Sequence, residues 1–461
     1  MKIFLRLACL SITVIITGFG CKGLSQDQQA AIRPVTLNFW TVYDNVDQLR
    51  NLATQYKGEN PHVTINIRQV RYDEFDKLFI NALADDVAPD MVSMHVRWLR
   101  KYQNRLVPMP ATVTMGKLVQ TSTITKETAV LFDTFNMPTL ESLKKAYVAT
   151  VPDDAVIAKQ MYGLPLTVDT LAVYYNKDLL DKAGLPEPPK DWNEFVEAVK
   201  RITKLDKDRK ILQSGASLGT GKNIENAFDI VSALMLQNGV TMAGSYGGIT
   251  FSAGFEKANA THPALQALNF YTDFARPNKE AYSWNDDQNS AFDAFVRGKT
   301  GFYFGFAYDY DRLKSRAPDL NIEIMPLPQL NPNIQANVAS YWLQSVVKKS
   351  KNQNEAWDFI RLMSEPDRIK GYADAVHQPS ALRVHIKAQE ADPVIGPFSS
   401  QVLIAKNWYH GRDIISAENA FDEMIAAILQ PLNEEKTTDQ DIYKKDASAV
   451  VRAAQIVSQT L

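Results

Sequence analysis

Residues 215–219, Gly-Ala-Ser-Leu-Gly, match the G-x-S-x-G pattern that places a nucleophilic serine between a strand and a helix. Such a serine needs a histidine base, an acidic partner and an oxyanion-binding loop. The six histidines are scattered without a recognisable pairing, and no partner for Ser217 can be named. A glycine-rich turn that opens a helix is the favoured interpretation, and a serine hydrolase is the weaker alternative.

Neighbouring carboxylates offer a second possible chemistry, because two carboxyl groups can cleave a glycosidic bond. Adjacent pairs occur at 85–86, 153–154 and 286–287. Adjacent acidic residues in polar segments are more often solvated loop charges, which is the favoured interpretation here. We therefore predict no catalytic residues, no metal site and no cofactor.

The chain has only two cysteines, Cys9 and Cys21, both near its beginning. The body therefore has no disulfide framework, no cysteine-ligated zinc and no cysteine nucleophile. The length of 461 residues suggests two to three domains. Fifty Lys and Arg against 52 Asp and Glu give a formal charge of −2, which lacks the basic patch expected of a nucleic-acid-binding protein.

The first 20 residues have the layout of an export signal, with Lys2 and Arg6 before an apolar run at 7–17. Small residues directly before Cys21 resemble the lipobox of bacterial lipoproteins, although Gly18 and Phe19 depart from it. The resemblance implies removal of residues 1–20, acylation of Cys21 and a polar tether over 21–34. An ordinary signal peptide, with Cys21 incidental, is the alternative.

The elements that must position any site alternate in type from Val35 onward. Residues 35–40 alternate like a strand, Asp44 or Asn45 can cap the next helix, and 63–67 and 91–94 are further strands. This β-α-β-α-β order predicts an α/β fold with a mainly parallel, doubly wound sheet. We expect surface helices and loops over 101–161.

The alternation resumes after residue 161. Strands are predicted at 170–176, 211–218, 300–306, 321–327 and 338–347, with helices at 192–202 and 224–237. Two α/β units form a cleft between them, and ligands bind beyond the carboxyl ends of parallel strands. The residues selected by this rule are 40–45, 94–98 and 214–222.

Several segments occur together in one order along the chain: Leu37-Asn38-Phe39-Trp40, 82–92 (ALADDVAPDMV), 162–165 (YGLP), 172–182 (AVYYNKDLLDK), Asp191-Trp192 with Phe195, and 295–305 (FVRGKTGFYFG). As a set they resemble the family 1 extracellular solute-binding proteins of ABC importers. The resemblance covers nearly the whole chain from Thr36 onward.

The resemblance implies a type II periplasmic-binding-protein fold, in which two doubly wound α/β lobes joined by a hinge close on a ligand held in the cleft between them. Neither lobe is contiguous in such a fold. We accordingly predict a first lobe from 35–160 and 298–347, and a second lobe from 161–297 and 348–461.

The resemblance also implies a set of ligand contacts: Trp40, Tyr43, Asp44, Arg97, Trp98, Asp169, Trp284, Tyr308, Trp342 and Arg383. Carboxylates would accept sugar hydroxyl protons, and aromatic rings would stack on sugar faces. For Asp44 a helix N-cap is the structural alternative, and for the three later aromatic residues simple packing is the alternative. Trp192 and Trp357 have apolar partners at helical spacing and are predicted to be core residues.

The implied function is a membrane-anchored, extracytoplasmic protein that captures a sugar or oligosaccharide and delivers it to the permease of an ABC importer. The resemblance implies a monomer without enzymatic activity, in the periplasm or on the outer cell surface. Two alternatives stay open at this point. One is a secreted carbohydrate-active hydrolase or lyase, and the other is the same fold binding a non-sugar solute.

Overall fold

The computed structural model describes residues 25–120, 128–244, 247–255, 262–432 and 438–461. The predicted signal peptide and Cys21 lie outside these residues. Within the described part of the chain, no helix is both long enough and apolar enough to cross a bilayer.

The strands are β1 (Val35–Thr41), β2 (Val63–Gln69), β3 (Met91–His95), β4 (Leu106–Val107), β5 (Thr112–Gln120), β6 (Thr128–Asn136), β7 (Val156–Ile157), β8 (Gln160–Met161), β9 (Asp169–Thr170), β10 (Ala172–Asn176), β11 (Lys204–Leu205), β12 (Ile211–Ala216), β13 (Thr300–Gly305), β14 (Ile322–Pro326), β15 (Asn337–Ser340), β16 (Trp342–Val347) and β17 (Ala405–Lys406). The α-helices are α1 (Gln26–Ala31), α2 (Val46–Glu59), α3 (Tyr72–Ala84), α4 (Leu99–Tyr102), α5 (Leu140–Ala146), α6 (Thr150–Ala155), α7 (Lys177–Lys182), α8 (Trp192–Ile202), α9 (Ala227–Gln237), α10 (Pro263–Asp273), α11 (Ala291–Val296), α12 (Asp309–Arg316), α13 (Gln353–Met363), α14 (Pro366–Ala375), α15 (Arg383–Gln389), α16 (Gly396–Ser399), α17 (Ile414–Leu429) and α18 (Asp439–Gln459).

The first lobe is built on a five-stranded sheet with the order β2-β1-β3-β16-β4. Strand β1 runs parallel to β2 and β3, whereas β16 is antiparallel to both of its neighbours. Helices α2 and α13 pack on this sheet. The mainly parallel sheet predicted from the sequence is therefore mixed, because β16 enters it from the other lobe.

The second lobe has a five-stranded sheet of order β11-β12-β13-β10-β14. Here β12 and β13 are parallel, and β10 is antiparallel to both β13 and β14. Strand β11 is antiparallel to β12 at the edge of the sheet. Like β16 in the first sheet, β10 follows a crossing between the lobes. Segments from the crossings meet in a small third sheet of order β17-β15-β9, which lies at the hinge.

The predicted boundaries between the lobes are wrong in two places. Strands β13 and β14 belong to the second sheet, and only β16 of the predicted 298–347 segment joins the first. The segment assigned to the second lobe from residue 348 begins with α13 and α14, which pack on α2 of the first lobe. The lobe to which a segment belongs is decided by the strands with which it pairs. Local sequence patterns do not show which distant strands pair.

Residues 112–120 and 128–136, predicted as part of a region of surface helices and loops, pair as the antiparallel strands β5 and β6, called here the β5–β6 hairpin. Strand β5 packs on α13. There the side-chain amide of Asn354 accepts a hydrogen bond from the Thr114 N–H and donates one to the Thr114 carbonyl. The remaining strands and helices of the α/β units lie close to their predicted positions. Trp192 and Trp357 are buried, which confirms both as core residues.

Candidate functional site

The carboxyl ends of β1 and β3 lie side by side and face the second lobe. Phe39 and Trp40 of β1 pair with Met91 and Val92 of β3, so both strands deliver their following residues to the same edge. Asn45 caps α2, with its side-chain oxygen accepting hydrogen bonds from two backbone N–H groups of the first turn. The Asp44 carboxylate is therefore not the helix cap.

Asp44 is buried, and its carboxylate accepts hydrogen bonds only from the first lobe. The hydroxyls of Thr41 (2.8 Å) and Ser93 donate to Oδ2, and Tyr372 donates to Oδ1 over 3.4 Å. Burial raises the pKa of this carboxyl, while these donors act to lower it. The Gln344 side-chain amide also lies within 3.5 Å of both oxygens, so Asp44 fixes the loop after β1 through first-lobe partners.

Arg97 follows β3 and crosses to the second lobe, where its guanidinium forms a two-bond ion pair with Asp229 on α9. The same guanidinium lies over the Phe228 ring, 5.2 Å from its centroid. Glu418 of α17 is also close, and burial raises the pKa of that carboxyl to about 7. Arg97 therefore acts here as a contact between the lobes.

Four of the predicted residues meet in one aromatic cluster, which consists of Tyr43, Tyr72, Trp98, Tyr308 and Trp342. Tyr43 is its centre, with ring centroids 6.0 Å from Tyr72, 5.7 Å from Tyr308 and 5.7 Å from Trp342. Trp98 packs against Tyr72 and Trp342. Tyr308 follows β13 in the second lobe, so the cluster spans both lobes. Tyr43 is 49% exposed and offers an open ring face.

Asp169 lies at the hinge and organises the loop that carries Tyr308. Its carboxylate accepts hydrogen bonds from the backbone N–H groups of Ala307 (2.9 Å), Tyr308 (3.1 Å) and Thr170 (2.8 Å). Burial raises the pKa of this carboxyl to about 7, although the three N–H donors oppose the shift. Asp169 positions an aromatic residue, and its oxygens are already occupied.

Three predicted ligand contacts lie away from the cleft. Trp284 is wholly buried in the second lobe and donates its indole N–H to Asn223, an arrangement that does not support the prediction that it contacts ligand. Trp40 is a buried strand residue covered by the Arg68 guanidinium. Arg383 is exposed and donates to the carbonyl of Tyr147.

A cavity of about 1190 Å³ opens between the lobes beside the Arg97 contact. Arg100, Gln103 and residues 149–154 line one side, and the other side is formed by the end of α9 with its following loop and by residues 403–412. Trp408 belongs to this lining and stacks on Phe228, the ring that also contacts Arg97. The cavity is large enough for a small oligosaccharide.

Polar groups inside the cavity are partly engaged with one another. His410 bonds Asp154 through Nε2 over 2.8 Å, and Thr150 and Tyr341 donate their hydroxyls to the other carboxylate oxygen. Arg100 has no hydrogen-bond partner for its Nε atom within the described part of the chain. That guanidinium is a ready donor to a ligand hydroxyl or carboxylate.

None of the ten residues predicted as ligand contacts lines this cavity. Sequence reasoning missed Trp408, His410, Arg100 and Asp229. A signal for two of them was present, because Trp408-Tyr409-His410 forms an aromatic run just before α17. No local sequence pattern indicated Arg100 or Asp229, because the role of each depends on groups of the opposite lobe.

Ser217 is buried, and its hydroxyl donates to the carbonyl of Phe302 rather than to an imidazole. This arrangement does not support it as a nucleophile. Among the described residues, no group of three or more His, Cys, Asp or Glu side chains is placed to hold a metal ion.

Comparison with known proteins gives a family match over most of the chain. The family model described as bacterial extracellular solute-binding protein matches residues 44–368. A multiple sugar-binding protein of Streptococcus mutans is 21% identical over 368 residues, which are 78% of this chain and 78% of that protein.

Solved structures have the same architecture. The GacH receptor of Streptomyces glaucescens, solved unliganded and with acarbose, aligns with a TM-score of 0.65 and 18% identity over 91% of this chain and 98% of that one. The sugar-binding protein MalE of Xanthomonas citri aligns with a TM-score of 0.65 and 20% identity over 92% and 98% of the two chains. At these identities the similarity establishes the two-lobed fold.

Proposed function

The chain belongs to the bacterial extracellular solute-binding protein family, and we propose that it captures a sugar or oligosaccharide between its lobes and delivers it to an ABC importer. The cavity between the lobes is the observation that carries this proposal. Residues of both lobes line it, so a ligand there stabilises the closed form over the open one.

The cavity and the aromatic cluster each supply groups that suit a carbohydrate. The cavity supplies charged donors and acceptors, including Arg100 and Asp153, which can bind hydroxyl groups. The aromatic cluster supplies ring faces, of which Tyr43 has the most exposed. Flat rings and fixed polar groups together bind the apolar faces and the hydroxyl edges of a pyranose.

We also propose that the protein is exported and anchored through an acylated Cys21, as the lipobox-like sequence before it suggests. Two or more acyl chains would hold it stably at a membrane. The mass of the purified native protein tests this, because acylated Cys21 adds the mass of its fatty chains at a new N-terminus.

Binding is tested by titrating a panel of oligosaccharides into the Cys21→Ser chain and recording heat and product formation. We expect saturable binding without turnover. Tyr43→Ala should weaken affinity by about tenfold, since an aromatic contact contributes about 1 kcal/mol beyond its buried area. Phe132→Ala, an exposed aromatic change on the distant hairpin, is the control. Cleavage of a glycan would support the alternative of a secreted hydrolase or lyase. Binding only to non-sugar compounds would support the alternative of the same fold with a non-sugar solute.

A further inference from the structure

The outer half of the β5–β6 hairpin, residues 117–120 and 128–133, has an unusually apolar exposed surface. Leu118 and Phe132, which lie on one face, are 55% and 51% exposed, and Leu131, which lies on the other face, is 54% exposed. The only charges among the described residues of this half are Lys117 and Asp133, which form an ion pair at 3.3 Å. This ion pair lies on the same face as Leu131, so the face with Leu118 and Phe132 has no charged side chain among the described residues of this half, as suits contact with another apolar phase.

The N-terminal helix α1 lies on one face of this hairpin. Gly116 lies opposite Phe132 and Leu118 lies opposite Val130, so these four residues share a face. A Cβ atom on Gly116 would lie 2.7 Å from the Cβ of Ala31, the last residue of α1. The end of helix α1 thus lies on the face that carries Leu118 and Phe132.

The position of α1 indicates what covers this surface. Ser25, the N-cap of α1, is four residues from Cys21, and four extended residues span at most about 14 Å. An acyl chain on Cys21 would therefore hold the lipid surface close to the hairpin face that carries Leu118 and Phe132.

We propose that the outer half of the β5–β6 hairpin contacts the surface of the membrane that anchors the protein, and so sets the orientation of the lobes relative to that membrane. This inference rests on the proposed acylation of Cys21. The hairpin would contact the headgroup and upper acyl region of the bilayer, where Leu and Phe side chains from an uncharged surface can insert.

The experiment uses single-cysteine labelling, because the sequence has no cysteine after Cys21. Leu118→Cys and Phe132→Cys, each with an environment-sensitive fluorophore, are compared with Leu212→Cys, an equally exposed position (59%) in the second lobe. The native lipoprotein is reconstituted in phosphatidylethanolamine–phosphatidylglycerol vesicles that contain a brominated lipid. We expect a blue shift and quenching at 118 and 132 and neither at 212.

A second arm separates this proposal from the anchoring on which it rests. The Cys21→Ser chain carries a histidine tag at residue 22 and is tethered to nickel-chelating lipid in the same vesicles. Quenching at 118 and 132 in the tethered protein supports the hairpin contact even where the native protein proves unacylated. Equal signals at 118, 132 and 212 in both arms would overturn the proposal.

Two further outcomes are decisive. Leu118→Ser combined with Phe132→Ser should reduce quenching of a label at Thr134→Cys several-fold, whereas Leu212→Ser should not. A blue shift at 118 that appears without vesicles and rises with protein concentration would mean that a second copy covers the hairpin. That result would overturn the membrane contact.

Discussion

Arg97 of the first lobe and Asp229 of the second form an ion pair in which both side chains are about nine-tenths buried. It connects the loop after β3 to the first turn of α9 and lies between the aromatic cluster and the cavity. A buried pair tolerates loss of one partner poorly, because the remaining charge stays desolvated. In the open form both charges would be hydrated, so the ion pair influences the stability of the closed form alone.

Replacing Asp229 by Ala should therefore favour the open form of the ligand-free protein. Leaving Arg97 buried without its partner costs about 3–5 kcal/mol in the closed form. Small-angle scattering should show a larger radius of gyration for Asp229→Ala than for the wild type. Asp47→Ala, which breaks an exposed pair with Arg50, is the control and should change nothing. Identical profiles for all three proteins would contradict the inter-lobe role.

Arg100→Ala should lower affinity for the bound sugar by about tenfold or more. Its guanidinium lines the cavity, and a hydrogen bond from a charged group contributes about 1.5–3 kcal/mol. Isothermal titration calorimetry measures the change. Lys145→Ala removes a surface cation that pairs with Glu141, and it should leave affinity unaltered. Equal affinities in the two variants would place the ligand outside the cavity.

Asp169→Asn should flatten the dependence of stability on pH. Burial raises the pKa of Asp169 to about 7 from 3.8, so between these values the folded protein holds a proton that the unfolded chain has lost. The free energy of unfolding therefore falls as pH rises from about 4 to about 7, at up to about 1.4 kcal/mol per pH unit from this group.

Urea denaturation at several pH values between 4 and 8 measures this slope. Burial also raises the pKa of Asp309, to about 6. This second carboxyl should therefore keep part of the pH dependence in the Asp169→Asn protein. The exposed Asp47→Asn change serves as the control. A slope in Asp169→Asn as steep as in the wild type would show that Asp169 does not carry this proton.

Trp284→Ala and Tyr43→Ala should have opposite consequences. Truncating the wholly buried Trp284 should cost about 3–5 kcal/mol of stability and leave sugar affinity intact in the folded protein. Tyr43, half exposed in the cleft, should affect affinity with little effect on stability. Urea denaturation and calorimetry on both variants test the pair of expectations. A loss of affinity in folded Trp284→Ala without loss of stability would restore Trp284 as a ligand contact.

The local elements were largely predictable because their signals are local. Helix α8 shows apolar residues at helical spacing after the Asp191 cap, and β1 to β3 show strand patterns broken by turn residues. The β5–β6 hairpin was missed, although Thr112–Met115 alternates in polarity, since the sequence between its strands, residues 121–127, contains no glycine or asparagine to mark a turn. Among the residues predicted as ligand contacts, Tyr43, Trp98, Tyr308 and Trp342 lie together in the aromatic cluster, and their contact with ligand stays a prediction.

The sequence by itself determined the α/β class, the order of helices and strands and the aromatic residues after β1 and β13. The class and the order follow from periodicity, and the loop after β1 follows from the rule that parallel strands deliver their following loops to one edge, whereas Tyr308 after β13 was selected by the family resemblance. Only the tertiary structure decided which strands share a sheet, why Asp169 is saturated by the amides of Ala307 and Tyr308, and that Arg97 meets Asp229. The Asp169 and Arg97 contacts join residues more than a hundred positions apart, and their encounter is fixed by the packing of the whole chain.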